Sequence, residues 1–390
     1  MTDENLVLLN PGPANTSARV RAALGRGDLC HREPEFAHLL GSIRSGLVEA
    51  LNLADSHEAV VISGSGTAAV EMSLLASVRP NRSVLVLSNG AYGERMRRMC
   101  EAHGISTYEV TASWDQPIDP GAVLDVLATH PDIDAVAVVM HETSAGLINP
   151  VREIGEIVAG TEAVFVVDAI SATGHEEPDL GTIHADLICG TANKGLHGLP
   201  GASFVLVSAQ KGAARIAAVP SRSTYLDLAA NLAAQRAGDV LFTPAVQVYY
   251  ALDDALKELR EQGGYPARSA DYQRRAQLLR TGLERLGLEL LVAPEYRSNS
   301  VSTVLLPPGV PYQRLHDELK RRGFVIYAGQ GRLAAGHFRV ANMGQLSLTT
   351  LERFLAELED TLELFAGSSP AQQNLPVHLR TGRAAEETRR

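Results

Sequence analysis

The chain has 390 residues, more than one compact core usually holds, so two domains or a large α/β domain with an appendage are expected. Its formal net charge of −10 argues against a nucleic-acid or anionic-membrane partner. Cys30, Cys100 and Cys189 have neither disulfide nor metal-ligand spacing, no apolar run reaches a membrane span, and MTDENLVLLNPGP lacks the order of a signal peptide, so a reducing, cytoplasmic setting without a metal centre is expected.

Residues 6–13 (LVLLNPGP) read as a short strand entering a Pro-Gly-Pro corner, in which two prolines fix the backbone around a glycine. The plain reading of that corner is a domain-entry turn. Residues 16–24 are helical, with Thr16 or Ser17 as the cap, and a long amphipathic helix runs to about Leu53. A buried strand at 59–63 (AVVIS) leads at once into Gly64-Ser65-Gly66-Thr67-Ala68-Ala69 and a helix over 70–78. Strand, glycine turn and helix in that order aim free backbone N–H groups at an anion, and Ser65 and Thr67 add hydroxyls. The same residues match the dinucleotide pattern G-x-G-x-x-A, which requires an acid about 20 positions on to hold a ribose. The next strand, 83–88 (SVLVLS), ends in Asn89-Gly90-Ala91-Tyr92-Gly93, so the dinucleotide reading is discounted. Tyr92 is a flat side chain placed to cover a planar ligand, or else an ordinary core or surface aromatic.

A helix over 94–103, a strand over 105–110 and a helix over 124–129 follow. The buried strand 135–140 (AVAVVM) is closed by His141-Glu142-Thr143-Ser144-Ala145-Gly146, polar groups where α/β sheets bind ligands. A helix over 151–159 leads to strand 164–167 and Asp168, then to strand 186–189, a turn holding Lys194, and strand 202–207. Continuous apolar strands separated mostly by helices mean a largely parallel sheet covered on both faces. The glycine turn, Tyr92, Thr143, Asp168 and Lys194 all fall just after strands, so such a sheet gathers them along one edge.

Beyond 207 the character changes. Residues 221–227 and 242–244 look irregular; helices are expected over 245–262, 272–286, 315–322 and 348–365, and strands over 301–305, 324–327 and 337–341. This gives a large domain over 17–262, a smaller α+β domain from 1–16 and 263–366, and a disordered Ser/Pro/Gln- then Arg/Glu-rich tail over 367–390. Arg339 lies inside a strand that is otherwise apolar on one face. Its planar fork suits a carboxylate, whether a ligand's or an internal Asp or Glu.

The lysines single out one position. Lys211, Lys257 and Lys320 sit in charged helical patterns or after a strand end, whereas Lys194 stands alone among small and turn-forming residues. A lysine in a tight, partly desolvated turn loses its proton readily and attacks a carbonyl. With the strand-end carboxylate of Asp168, it forms the pair that pyridoxal phosphate chemistry needs.

The motifs NPGP, GSGTAAVE, SNGAYGER, HETSAGLINP, VVDAIS, ANKGLHGLPG and FRVANMG together resemble the class V aminotransferases, of the α/β PLP fold type I, from about Leu8 to Phe365. The resemblance implies pyridoxal 5′-phosphate as cofactor, with Lys194 its Schiff-base lysine and Asp168 the partner of its ring nitrogen. Ser65, Gly66 and Thr67 are implied to hold the phosphate, Tyr92 to stack on the ring, and Thr143 to lie on its 3′-oxygen side. Arg339 is implied to bind a substrate carboxylate, and Thr243, in FTP, to reach the phosphate of the other subunit in a homodimer. The implied reaction moves the amino group of 2-aminoethylphosphonate, or a close phosphonate amine, to pyruvate. CHREPEF resembles alanine– or serine–glyoxylate aminotransferases, which stand as the alternative, and Arg222 is a candidate cation for the donor's acidic group. A desulfurase needs a late nucleophilic cysteine, and none follows Cys189.

Overall fold

In a computed structural model, residues 6–176 and 180–367 are described. Seven strands form the main sheet: β1 (His57–Ser63), β2 (Ser83–Ser88), β3 (Ser106–Thr111), β4 (Ile133–Val139), β5 (Val164–Asp168), β6 (Leu187–Thr191) and β7 (Ala202–Ser208). Across the sheet the order is β1-β7-β6-β5-β4-β2-β3, and only β7 runs antiparallel to its neighbours. The expected largely parallel α/β sheet is therefore present, with seven strands.

Strand alternation divides the apolar residues between two layers. Leu85, Leu87, Val136, Val138, Phe165, Val167 and Ile188 pack into one core, and Val84, Val86, Ala135, Ala137, Val164, Val166 and Cys189 into the other. Both faces are buried, so these strands read as continuous apolar runs. Each fully buried Val, Leu, Ile or Phe contributes ~1.5–3 kcal/mol, which makes the sheet a stiff base for the loops at its strand ends.

Beyond the sheet, helices Gly264–Arg285, Tyr312–Arg321 and Leu348–Gly367 pack with an antiparallel sheet of β8 (Val301–Leu305), β9 (Tyr327–Ala328) and β10 (His337–Ala341), ordered β8-β10-β9. Leu9, Leu279, Leu283, Val304, Phe324, Phe338, Val340 and Phe354 share its core. The N-terminus belongs here: Val7–Leu8 pairs in parallel with Phe324–Val325, and Leu9 O accepts from Ala341 N at 2.8 Å.

Several sequence expectations need correction. The strand expected over 324–327 is two pieces in different sheets, because Ile326 turns into the core between them. Helices Lys211–Ala218 and Leu228–Arg236 were not foreseen, and the helix after β2 begins at Ala91 rather than 94, which puts Tyr92 in its first turn. The final helix runs on to Gly367, and the rest of the expected tail lies outside the described residues. Among those described, no helix is long and apolar enough to cross a membrane.

Candidate active site

The carboxyl ends of the parallel strands surround a cavity of about 180 Å³. Ser65, Gly66, Thr67, Tyr92, Asp168 and Lys194 line it, together with residues the sequence did not single out: Arg95, His141, Ser171, Thr191 and Asn193. The expected convergence along one sheet edge is thus met by the glycine turn, Tyr92, Asp168 and Lys194, whereas Thr143 does not line the cavity.

The helix Gly66–Ser77 starts in the cavity wall, and Ser65 precedes it in extended conformation with no side-chain cap bond. The first-turn N–H groups and positive dipole end are therefore directed at the cavity. Arg95 reinforces that end by donating to Thr67 Oγ1 at 3.3 Å, and its guanidinium lies 4.7 Å from the Tyr92 ring centre. Tyr92 is itself anchored. The buried Glu142 carboxylate accepts from Tyr92 N at 3.1 Å and from Gly93 N at 3.3 Å, capping that helix as an N-terminal anion.

Asp168 ends β5 wholly enclosed, with Oδ1 accepting from Ile170 N at 2.9 Å. Burial raises its carboxyl to about 7, helped by nearby Glu142 and opposed by Arg95 and Lys194. Across the cavity, burial lowers the Lys194 amine to about 8; Asp168 opposes that, while Arg339 and Arg95 add to it. The turn carrying Lys194 is closed by His197 N to Lys194 O at 2.9 Å and Gly198 N to Ala192 O at 2.8 Å.

The Pro-Gly-Pro corner is more than a domain-entry turn. Its Pro11 carbonyl accepts from Lys194 Nζ, and Ala14 N donates to Asn193 O at 3.0 Å. Gly12 adopts φ +117°, and a Cβ there would lie 2.4 Å from Nζ. The corner positions the amine, although 183 residues of sequence separate them.

Thr143 and Arg339 adjoin the cavity without lining it. Arg339 Nη1 donates to Thr143 O at 3.0 Å and to Gln330 Oε1 at 3.2 Å, and Nε donates to Ala328 O at 3.0 Å. No carboxylate pairs with it among the described residues, so the internal salt bridge does not account for its burial. Thr143 Oγ1 is buried without a partner. Thr243 is exposed and lies apart, in a groove with Ser63, Tyr225 and Phe242. Arg222 is likewise absent from the site: it donates to Leu75 O and Val78 O, closing the end of the helix that starts in the cavity wall.

These residues fit pyridoxal phosphate: a helix N-terminus with two hydroxyls, a buried carboxylate and a half-buried lysine of lowered basicity line one small cavity. The chain matches the model of the "Aminotransferase class-V" family over residues 15–349. It is 34% identical over 363 residues to a protein of Syntrophobacter fumaroxidans named 2-aminoethylphosphonate–pyruvate transaminase, covering 92% of this chain and 97% of that one. It is 32% identical over 367 residues to a protein of that name from Salmonella paratyphi C, covering 93% and 99%. Similar solved structures include an alanine–glyoxylate aminotransferase from Nostoc sp. (TM-score 0.87, 26% identity, 92% of this chain and 95% of that one). An aspartate aminotransferase from Thermus thermophilus is similar too (TM-score 0.84, 27% identity, 92% and 99%). The chain belongs to the class V aminotransferases, a pyridoxal-phosphate-dependent family, and is a transaminase.

Proposed function

We propose that this cavity holds pyridoxal 5′-phosphate and that the enzyme transfers the amino group of 2-aminoethylphosphonate to pyruvate, giving phosphonoacetaldehyde and alanine. The observation that carries the reading is the enclosure of Lys194 and Asp168 in one cavity, the first held by Pro11 O. The relatives' names support the substrate pair.

Each residue has a role that follows from its place. Ser65, Gly66 and Thr67 bind the phosphate with N–H and hydroxyl donors at a helix start, and Arg95 adds charge there. Tyr92 covers the ring from a helix pinned by Glu142. Asp168 would hold a proton on the pyridine nitrogen. Bound cofactor supplies an electron sink for the donor's α-carbon. Lys194, already short of its usual basicity, would hold the cofactor's aldehyde and, once free, would carry a proton to and from the reacting carbon. Arg339 presents an unclaimed positive charge to the keto acid's carboxylate, and Thr143 offers a hydroxyl beside it. Arg95, Lys194 and Arg339 make the region cationic, which suits a substrate carrying a phosphonate.

The same reading extends to assembly. We propose a homodimer in which Thr243 serves the other subunit's phosphate. Tyr225 (43% exposed) and Phe242 (40%) beside it, with ring centres 5.3 Å apart, form an apolar surface suited to a second copy. The division into a small domain (1–16 and 263–366) and a large domain (17–262), of which 1–5 and 177–179 lie outside the described residues, is proposed on the same reading. The test is amino transfer from 2-aminoethylphosphonate to pyruvate, compared with alanine or serine to glyoxylate. A preference for the second pair would replace the substrate assignment and leave the cofactor assignment intact.

A further inference from the structure

His141 follows β4 and is wholly buried in the cavity wall. Its Nδ1 lies 2.9 Å from Ser171 O. A carbonyl only accepts, so Nδ1 carries the hydrogen and Nε2 carries a lone pair. Nε2 is buried and has no hydrogen-bond partner. A buried acceptor left unpaired costs about 1–3 kcal/mol, so a partner is expected to come with the ligand.

The rest of the cavity is rich in donors: Lys194, Arg95, the Ser65 and Thr67 hydroxyls and a helix start. His141 Nε2 is an acceptor set among them. The imidazole is also fixed from behind. Glu176, buried, accepts from Asn299 N at 2.9 Å and from Ser300 Oγ at 3.2 Å. It lies 3.3 Å from His175 Nε2 and 3.7 Å from His141 Nδ1. Asn342, just after β10, holds the Asn299 carbonyl at 2.9 Å. His141, His175 and Glu176 are close enough to suggest a metal, yet the Glu176 oxygens already receive donors from Asn299 and Ser300, so the carboxylate stands behind the imidazole as a fixed neighbour.

We propose that His141 is a positioning residue of the transamination site, its Nε2 accepting a hydrogen bond from the protonated nitrogen that joins the cofactor. This rests on the cofactor reading above. The charged and titratable groups facing His141 are Glu176, His175 and Lys194; those facing Lys194 are Asp168, Arg95 and Arg339. Burial holds the imidazole down at about 4, so the acceptor persists through the working pH range.

The test uses purified protein loaded with pyridoxal phosphate and reads its visible absorbance against pH. His141→Phe keeps bulk and removes the acceptor; His141→Gln keeps an acceptor near the Nε2 position. Loss of a hydrogen bond to a charged donor moves a titration by about one pH unit or more. The expected result is a midpoint about one unit lower in His141→Phe, restored at least halfway in His141→Gln, with visible absorbance retained in all three. A midpoint unchanged in His141→Phe overturns the proposal. So does an equal shift in both variants, which marks a purely structural role. If His141→Phe does not fold, His141→Gln and His141→Asn are compared, and equal midpoints in these two overturn it. A wild-type protein with no visible absorbance would instead sink the cofactor reading.

Discussion

Gly12→Ala isolates the link between the N-terminal corner and the catalytic amine. The new Cβ would stand 2.4 Å from Lys194 Nζ, 2.7 Å from Cε and 2.8 Å from Cδ. Ordinary carbon contacts lie at about 3.5–4.0 Å, so the amine end must retreat by about 1 Å. A displacement of that size at a reacting group costs roughly 10²-fold, or about 2.7 kcal/mol of activation free energy. The flexible lysine yields rather than the backbone, so the damage falls on function. Backbone strain at φ +117° adds an order of 1–3 kcal/mol to instability. Gly104→Ala is the control: φ is +63° there, but nothing lies within 4 Å of its Cβ. The assay compares kcat for amino transfer with melting temperature in the two variants. We expect both to lose stability and only Gly12→Ala to lose about two decades of kcat. Wild-type kcat in Gly12→Ala, or equal losses in both, would refute the reasoning.

Other outcomes follow from the same contacts. Arg339→Ala is expected to raise KM for the keto acid roughly 10- to 100-fold, the worth of a charge-assisted carboxylate contact; an unchanged KM removes Arg339 from substrate binding. Asp168→Asn is expected to keep phosphate-end binding while cutting kcat by roughly 10²-fold or more, as for a lost proton-holding group; near-normal kcat contradicts its role. Cofactor-free protein should show a stability dip between about pH 7 and 8. Asp168 keeps its proton to about 7 when folded against 3.8 ordinarily, so stability falls as pH rises between these values. Lys194 titrates at about 8 when folded against 10.5 ordinarily, so stability rises across that window. Thermal melts against pH check this, and a dip that survives in Asp168→Asn/Lys194→Met contradicts it.

What the sequence made legible was whatever a short window encodes. Alternate burial of Val84 through Leu87 and Val164 through Val167 on opposite faces produces the unbroken apolar runs from which the sheet is read. Ser65 follows β1, Asp168 ends β5 and Lys194 follows β6, so local order was enough to bring them together. Contacts between distant segments were not legible. Nothing near Pro11 or Gly12 announces that they meet Lys194, and Arg95 looks like one more charge in GERMRR until its helix is seen to start at Ala91. Arg222 looks free in a serine-rich loop, whereas the structure has it satisfying carbonyls at a helix end. The helix Leu228–Arg236 went unseen because its alanine-rich stretch gives little apolar periodicity, and Lys211–Ala218 because it is only 8 residues long with Ile216 as its one large apolar side chain.

The central claim is that Lys194 is the amine through which this cavity holds pyridoxal phosphate and passes amino groups. It is tested most directly by mixing cofactor-loaded enzyme with 2-aminoethylphosphonate alone, then with pyruvate, while following visible absorbance. The account predicts loss of the visible band on the first addition, its return on the second with one alanine formed per site, and neither change in Lys194→Ala. A visible, active Lys194→Ala protein, or a wild-type chain that takes up no cofactor, would contradict it.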